Sequence, residues 1–322
     1  MDIALVTGST RGIGYETALA LGRYGYKVIV TGRSTEGLAA TAKNLREAGV
    51  IVEPEQLDVT SIDSVNRVAN VVANRHGRLD VLVNNAGVAG EWNAPDADYV
   101  HPDAVRRTID TNVVGAFYTI EAFLPLLRNS PGARIVNVSS FMGSLAVQTQ
   151  SGPDDLIVPA YQASKAALNS ITITLAKALA ATPIAVFSVD PGFVKTDFSP
   201  INRAQAPLDA AQGAEPIVKA ALGDVDAESG SFINRDGHQH GNQYSDRYCY
   251  TDGYGNRYAN KHARTNGDGY THIHARTDSD RYTHRYAGTN HHRYTHRDGD
   301  QYTCRAGLRH WWYQSRRDDL RA

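Results

Sequence analysis

The chain has 322 residues, 42% of them hydrophobic, and a net charge of −1, which is enough to build one large α/β domain around a buried core. Residues 241–322 hold 13 Arg and one Lys against nine Asp, a net +5, so residues 1–240 carry −6, and neither value is extreme. No apolar run approaches the ~18 residues that a membrane-spanning helix needs, so no membrane association is expected.

Met1-Asp2 runs straight into the apolar stretch Ile3–Val6. No charged n-region with a following apolar h-region precedes it, so no signal peptide is expected and the protein reads as cytoplasmic. Ile3–Val6 reads as a first strand, followed by Thr7-Gly8-Ser9-Thr10-Arg11-Gly12-Ile13-Gly14. Glycines between a first strand and a first helix allow a tight turn, close approach of a pyrophosphate to the backbone, and close helix–strand packing. The helix start then offers unpaired N–H groups to the phosphates. Ile13, Thr17, Leu21 and Tyr24 recur at helical spacing, and Gly25 stops that helix.

Val28–Val30 is the second strand, running on into Thr31-Gly32-Arg33-Ser34. A site for NAD offers an acid to the ribose 2′-hydroxyl at this point, yet no acid appears before Glu36. Arg33, with Arg11 in the glycine turn, suits a 2′-phosphate, so NADP(H) is the expected cofactor. The alternative is that Arg33 is a solvated surface arginine. Leu38, Ala42 and Leu45 form a second helix stopped by Gly49. Ile51–Leu57 contains Pro54, which cannot donate to a ladder and so belongs at a sheet edge; Val65, Val68, Ala69 and Val72 form a third helix. Leu79–Val83, Arg134–Val138 and Ala185–Val189 are further apolar strands. Such continuously apolar strands alternating with helices predict a doubly wound parallel sheet of the Rossmann type in a single domain, residues 1–238.

Tyr161 and Lys165 stand four apart, and Leu168, Ile171 and Leu175 continue a helical pattern, so both share one helix face. A neighbouring ammonium is expected to lower the phenol pKa; the alternative is an ordinary half-buried helix tyrosine. Ser139 and Ser140 both follow the strand Arg134–Val138 and both remain candidates for a hydroxyl at the site. A mid-helix Asn112 could equally be a helix–helix hydrogen-bonder.

Taken together, the glycine turn, Asn84-Asn85-Ala86-Gly87, Asn112, Ser140, Tyr161-Gln162-Ala163-Ser164-Lys165 and Asp190-Pro191-Gly192 resemble, in order and spacing, the short-chain dehydrogenase/reductase family, over about residues 2–238. Arg33 and an extended Ser-to-Tyr segment look like its carbonyl-reductase-like branch. The resemblance implies a catalytic set of Asn112, Ser140, Tyr161 and Lys165. Tyr161 would donate a proton as hydride reaches the carbonyl carbon, and Lys165 would also hold the nicotinamide ribose. Ser140, chosen over Ser139 because Gly143 follows at the family's spacing, would hold the substrate oxygen. Asn112 would keep a proton-relay water near Lys165. The resemblance also implies that Asp58 and Val59 meet the adenine, that Asn85, Ala86 and Gly87 pass beneath the cofactor, and that Pro191, Gly192, Val194 and Thr196 grip the nicotinamide carboxamide. No metal is expected. Many relatives assemble through two long helices, so a homodimer or homotetramer is a candidate.

Three segments depart from the pattern. Phe141 to Ala160 is longer than in many members of the family, and its excess around Ser151-Gly152-Pro153-Asp154-Asp155 reads as a surface loop. Asp197 to Pro207 is rich in proline and polar residues and reads as a mobile lid. Residues 239–322 form the third. Residues 241–322 hold 11 of the 17 Tyr and 8 of the 12 His, no Val, and Ile273, Leu308 and Leu320 as their only Ile or Leu. Both cysteines, Cys249 and Cys304, lie there too. Tyr-Thr-His recurs at Tyr270, Tyr282 and Tyr294. Disorder is the first reading, because so little aliphatic surface cannot offset backbone entropy. Single-strand nucleic-acid binding through interleaved Arg and Tyr is a second, weakened by the nine Asp. Metal binding by His272, His274, His291, His292 and His296 is a third, and it matches no standard zinc spacing.

The functional expectation is NADPH-dependent reduction of a small-molecule ketone or aldehyde. The alternatives are an NAD(P)-linked alcohol dehydrogenase working oxidatively, and a non-catalytic dinucleotide sensor whose tail binds a partner or RNA.

Overall fold

The computed structural model describes residues 1–93, 99–150, 156–235 and 239–240, together with strand residues 249–251, 257–264, 270–275, 281–283, 291–295 and 301–305. The chain divides into two units, Met1–Gln243 and Tyr244–Ala322.

In the first unit, β1 (Ile3–Val6), β2 (Lys27–Gly32), β3 (Val52–Gln56), β4 (Val81–Asn84), β5 (Arg134–Val138), β6 (Ala185–Val189) and β7 (Phe232–Ile233) form a parallel sheet. Its order is β3-β2-β1-β4-β5-β6-β7, and β8 (Gln239–His240) joins β7 antiparallel. Alternate strand residues face opposite sides of a sheet. Ile3 and Leu5 therefore enter one core and Ala4 and Val6 the other. With helices over both faces, all four are buried, which is why the strands read as unbroken apolar runs. Pro54 lies in the edge strand β3, where its missing donor costs no ladder bond.

One face is covered by α1 (Gly12–Arg23), α2 (Thr35–Glu47) and α9 (Ala210–Leu222) through Leu21, Leu45 and Ile217. The other is covered by α3 (Ile62–His76), α5 (Gly115–Arg128) and α7 (Pro159–Ala178) through Val68, Phe123 and Leu168. The helix α4 (Pro102–Ile109) precedes α5, and a π-helical turn, Asp110–Val114, joins them. Two short helices complete the unit, α6 (Leu145–Gln150) and α8 (Pro200–Gln205). Within segment 197–207, Ser199 caps α8 by accepting from the Asn202 N–H, and Pro200 occupies its first turn. Residues 151–155, expected as a surface loop, lie outside the described residues.

A buried polar chain crosses the sheet beneath the site. Thr119 Oγ1 donates to Asn84 Oδ1 at 2.7 Å, Asn84 Nδ2 to Asn137 Oδ1 at 2.9 Å, and Asn137 Nδ2 to Thr172 Oγ1 at 2.9 Å. It ties β4 and β5 to α5 and α7 among buried residues, where bulk solvent does not reach to replace a lost bond. Asn137→Ala leaves the Asn84 amide without its acceptor and opens a small void. The expected loss is about 2–4 kcal/mol of stability, measured by urea denaturation; a midpoint equal to that of the unmodified protein would show the chain to be energetically idle.

In the second unit, β9 (Cys249–Thr251), β10 (Arg257–Arg264), β11 (Tyr270–Ala275) and β12 (Arg281–Thr283) form an antiparallel sheet of order β12-β11-β10-β9. Beside them in sequence, β13 (His291–Thr295) pairs with β14 (Gln301–Arg305). The Tyr-Thr of all three Tyr-Thr-His triplets falls in a strand. The disorder expected of residues 239–322 falls in large part outside the described residues. Where the chain is described it pairs through its backbone, a ladder that Tyr and Thr favour without an aliphatic core. His296, one of the candidate metal ligands, also lies outside the described residues.

Candidate active site

The site is assembled at the carboxyl ends of β1, β4, β5 and β6, where the crevice of an open α/β sheet lies. Strand β5 ends at Val138, and Ser139 and Ser140 diverge after it. Ser139 is buried and donates to Asn169 Oδ1 at 2.6 Å, which consumes its hydroxyl in packing against α7. Ser140 accepts from the Met142 N–H at 3.2 Å at the start of a 3₁₀ turn, Phe141–Gly143. Its hydroxyl favours the phenolate form of Tyr161, the one influence that lowers that phenol's pKa. Geometry therefore picks Ser140 of the two.

Tyr161 lies in the first turn of α7, and its ring meets the Phe198 ring at 5.4 Å between centroids, tilted by 58°. Lys165, one turn on, is only 4% exposed. Its Nζ donates to the Val138 carbonyl at 2.7 Å and stands 5.5 Å from the centre of the Tyr161 ring. Burial pushes the Tyr161 pKa well above the usual tyrosine value; the Ser140 hydroxyl opposes this, while Asp190 and Glu91 add to it. The lowering expected from the neighbouring ammonium is not found; the cost of removing a phenolate from water sets the direction. Burial also lowers the Lys165 pKa, to about 8.

Asn112 sits in the π turn, 2% exposed. Its amide nitrogen donates to the Val88 carbonyl at 2.8 Å and to Ser164 Oγ at 3.0 Å, and its Oδ1 accepts from the Val88 N–H at 2.8 Å. Ser164 in turn donates to the Tyr161 carbonyl at 2.7 Å. Asn112 thus ties the segment after β4 to α7. A Cβ added at Gly87 would lie 3.4 Å from Asn112 Oδ1 and 3.6 Å from Lys165 Nζ, which brings that segment against the same group.

The adjoining cleft is built on the glycine turn. Gly8 has φ +63°, and a Cβ there would come within 3.0 Å of the Ala86 Cα. Thr7 Oγ1 accepts from the N–H groups of Asn85 and Ala86, both at 2.9 Å, and the Asn85 amide donates to the Thr7 and Gly8 carbonyls at 2.8 and 3.1 Å. The Ser9 hydroxyl is turned inward: it donates to the Val6 carbonyl at 2.9 Å and accepts from the Thr31 N–H at 2.8 Å. A ligand could reach Ser9 only through its backbone. Gly12, Ile13 and Gly14 open α1, whose N-cap position, Arg11, provides no side-chain cap and whose first turn carries no acid. That uncapped positive end fits a phosphate.

Arg33 is exposed at the end of β2, its carbonyl held by Gln56 Nε2 at 2.9 Å. Arg11 is also exposed, with Asp197 Oδ2 3.8 Å from it. Asp58 accepts from the Thr60 N–H and hydroxyl at 3.0 and 2.8 Å, which shapes the turn after β3, while Val59 is buried there. After β6, Pro191 is buried and Gly192 has φ +79° with its N–H on Asp190 Oδ1 at 3.0 Å. Val194 is bridged to Leu208, and its carbonyl accepts from Asn202 Nδ2 at 2.9 Å. Thr196 Cγ2 would lie 3.3 Å from a Cβ added at Gly12, so the segment after β6 reaches the glycine turn.

Three contributors escape sequence reasoning: Glu91, Ser164 and Phe198. Glu91 Oε1 accepts from the Tyr161 N–H at 2.9 Å. The signal for it is indirect. Helix α7 begins after Val158, which has no capping side chain, so a partner for its first N–H groups has to come from elsewhere.

Residues 2–206 match the family model described as short chain dehydrogenase. A putative ketoacyl reductase of Streptomyces coelicolor is 40% identical over 199 residues, covering 61% of this chain and 71% of that protein. Among solved structures, an actinorhodin polyketide ketoreductase variant with NADPH superposes with a TM-score of 0.63 at 30% identity, over 72% of this chain and 95% of that one. An NADPH-bound carbonyl reductase from chicken fatty liver superposes with a TM-score of 0.64 at 26% identity, over 74% and 99%.

Proposed function

The chain belongs to the short-chain dehydrogenase family of oxidoreductases, and from that premise we propose that it uses NADPH to reduce the carbonyl of a small ketone or aldehyde, with Tyr161 as proton donor. The observation that carries this reading is the buried Lys165 amine 5.5 Å from the centre of the Tyr161 ring, with Gly87 of the segment beside the glycine turn packed toward the same amine.

Bound NADPH supplies the hydride to the carbonyl carbon. The uncapped start of α1 would hold its pyrophosphate, Arg33 and Arg11 its 2′-phosphate, and residues 85–87 and 191–196 its nicotinamide end. Ser140 donates a hydrogen bond to the carbonyl oxygen and holds it against the phenol. Tyr161, kept protonated by burial, gives that oxygen its proton, so the carbonyl gains one hydride and one proton and leaves as an alcohol. Lys165, charged below about 8, stabilises the phenolate left behind. Asn112, through Ser164 and the Tyr161 carbonyl, keeps this turn of α7 in place. Cytoplasmic location and assembly into a dimer or tetramer belong to the same reading; among the described residues no helix is long and apolar enough to cross a membrane.

The test is NADPH oxidation against a panel of ketones and aldehydes. Consumption with at least one, with the alcohol as product, is the expected result; none with any would overturn the reading.

A pH dependence follows from Lys165. Its buried amine is charged below about 8 and neutral above. The reductive rate is therefore expected to be sustained below that value and to fall as pH rises through it, read as kcat/KM across a pH series. A rate that climbs steadily between 7 and 9.5 would contradict the role given to the ammonium.

A further inference from the structure

We propose that Glu91 is a positioning residue for Tyr161: it caps helix α7 from the segment after β4 and so fixes the helical turn that carries the phenol. This rests on the reductase reading for its consequence in catalysis, though not for the contact itself.

The first turn of a helix leaves N–H groups unpaired. In α7 the residue before Pro159 is Val158, whose side chain accepts nothing. Proline has no N–H, and the Tyr161 N–H is taken by Glu91 Oε1 at 2.9 Å. A carboxylate at this position also meets the positive end of the helix dipole. Glu91 is itself fixed from the opposite side. Its neighbour Gly90 donates its N–H to Thr108 Oγ1 of α4 at 2.9 Å, and a Cβ at position 90 would come within 2.6 Å of the Ala104 carbonyl. The 3₁₀ turn Gly90–Asn93 is thus clamped between α4 and the start of α7. Its second oxygen, Oε2, is enclosed without a hydrogen-bond partner. A carboxylate with one oxygen spent on a backbone N–H and the other shut away from water is costly to keep, and the Tyr161 amide is what it serves. The same charge adds to the burial that keeps the phenol protonated.

The test compares Glu91→Ala with Glu91→Gln, whose amide oxygen can still accept. Glu91→Leu replaces the alanine variant should that one fail to fold. Amide hydrogen exchange at Tyr161 is read first, because it requires no substrate. Protection is expected to be lost in Glu91→Ala and recovered in Glu91→Gln. With a carbonyl the enzyme reduces, Glu91→Ala is expected to lower kcat by up to about 100-fold through misplacement of the phenol, with NADPH affinity unchanged and most of the rate restored by glutamine. In a Tyr161→Phe background the same substitution is expected to change the residual rate little, since there is no phenolic proton left to place. Unchanged exchange at Tyr161 in Glu91→Ala overturns the proposal, and so does an equal fold-loss in the Phe background. Failure of the unmodified protein to reduce any carbonyl would fall on the reductase reading, while the exchange measurement would still decide the cap.

Discussion

Tyr161→Phe is expected to lower the rate of NADPH-dependent carbonyl reduction by about 10²–10⁴-fold, the usual worth of a positioned acid. The substitution removes one oxygen and one proton and leaves the ring, so its contact with Phe198 at 5.4 Å persists. Three consequences separate this from a general weakening. Affinity for NADPH should be retained, because the glycine turn and Arg33 do not touch the phenol. The melting temperature should change little, because the ring and its packing on Phe198 remain. The dependence of the rate on pH around Lys165 should flatten, because an ammonium has no phenolate left to stabilise. Equal rates in the two proteins would remove Tyr161 from the chemistry.

Arg33→Asp is expected to reverse the cofactor preference. Arg33 is exposed at the end of β2, and no carboxylate among the described residues pairs with its guanidinium. A charge-assisted, bidentate contact to a phosphate contributes about 1.5–3 kcal/mol, or roughly 10- to 150-fold in kcat/KM for NADPH. Aspartate adds repulsion of the 2′-phosphate and offers an acceptor to the 2′-hydroxyl of NADH. NADPH should therefore lose at least that factor while NADH gains. Arg11 retains part of the phosphate affinity, although its guanidinium is shared with Asp197 at 3.8 Å. If the unmodified protein already prefers NADH, the arginine reading is wrong before any variant is made.

The residues that sequence alone makes legible are those whose role is periodic or local. Leu21, Leu45, Val68 and Leu168 repeat at helical spacing because one helix stripe must meet the sheet. Pro54 signals the sheet edge by the donor it lacks. Gly25 follows α1 at φ +89° and Gly49 follows α2 at φ +82°, as their placement after helical patterns predicts. Tyr161 and Lys165 are legible because four residues are about one helical turn. What is lost is either three-dimensional or masked by composition. Ser139 and Ser140 are chemically equal neighbours; the family's spacing to Gly143 favours Ser140, and the contact of Ser139 with Asn169 supplies the physical reason. The sign of the Tyr161 shift depends on how deeply the ring is buried, which spacing does not reveal. Glu91 lies 70 positions before Tyr161 in a stretch that looks like an ordinary loop. Helix α8 did carry its signal, Ser199-Pro200, a cap followed by a first-turn proline, under a proline-rich composition that suggests a lid.

The proposed reaction requires a phenol, a hydroxyl and an amine gathered beside a nicotinamide to complete a hydride transfer. The most direct measurement follows the hydrogen itself. NADPH deuterated at both C4 positions is incubated with the purified protein and the carbonyl panel, and each product is examined by mass spectrometry and NMR. One deuterium retained on the carbinol carbon of the alcohol is the predicted result. An alcohol formed without deuterium at that carbon, or deuterated NADPH recovered intact from every incubation, would contradict it.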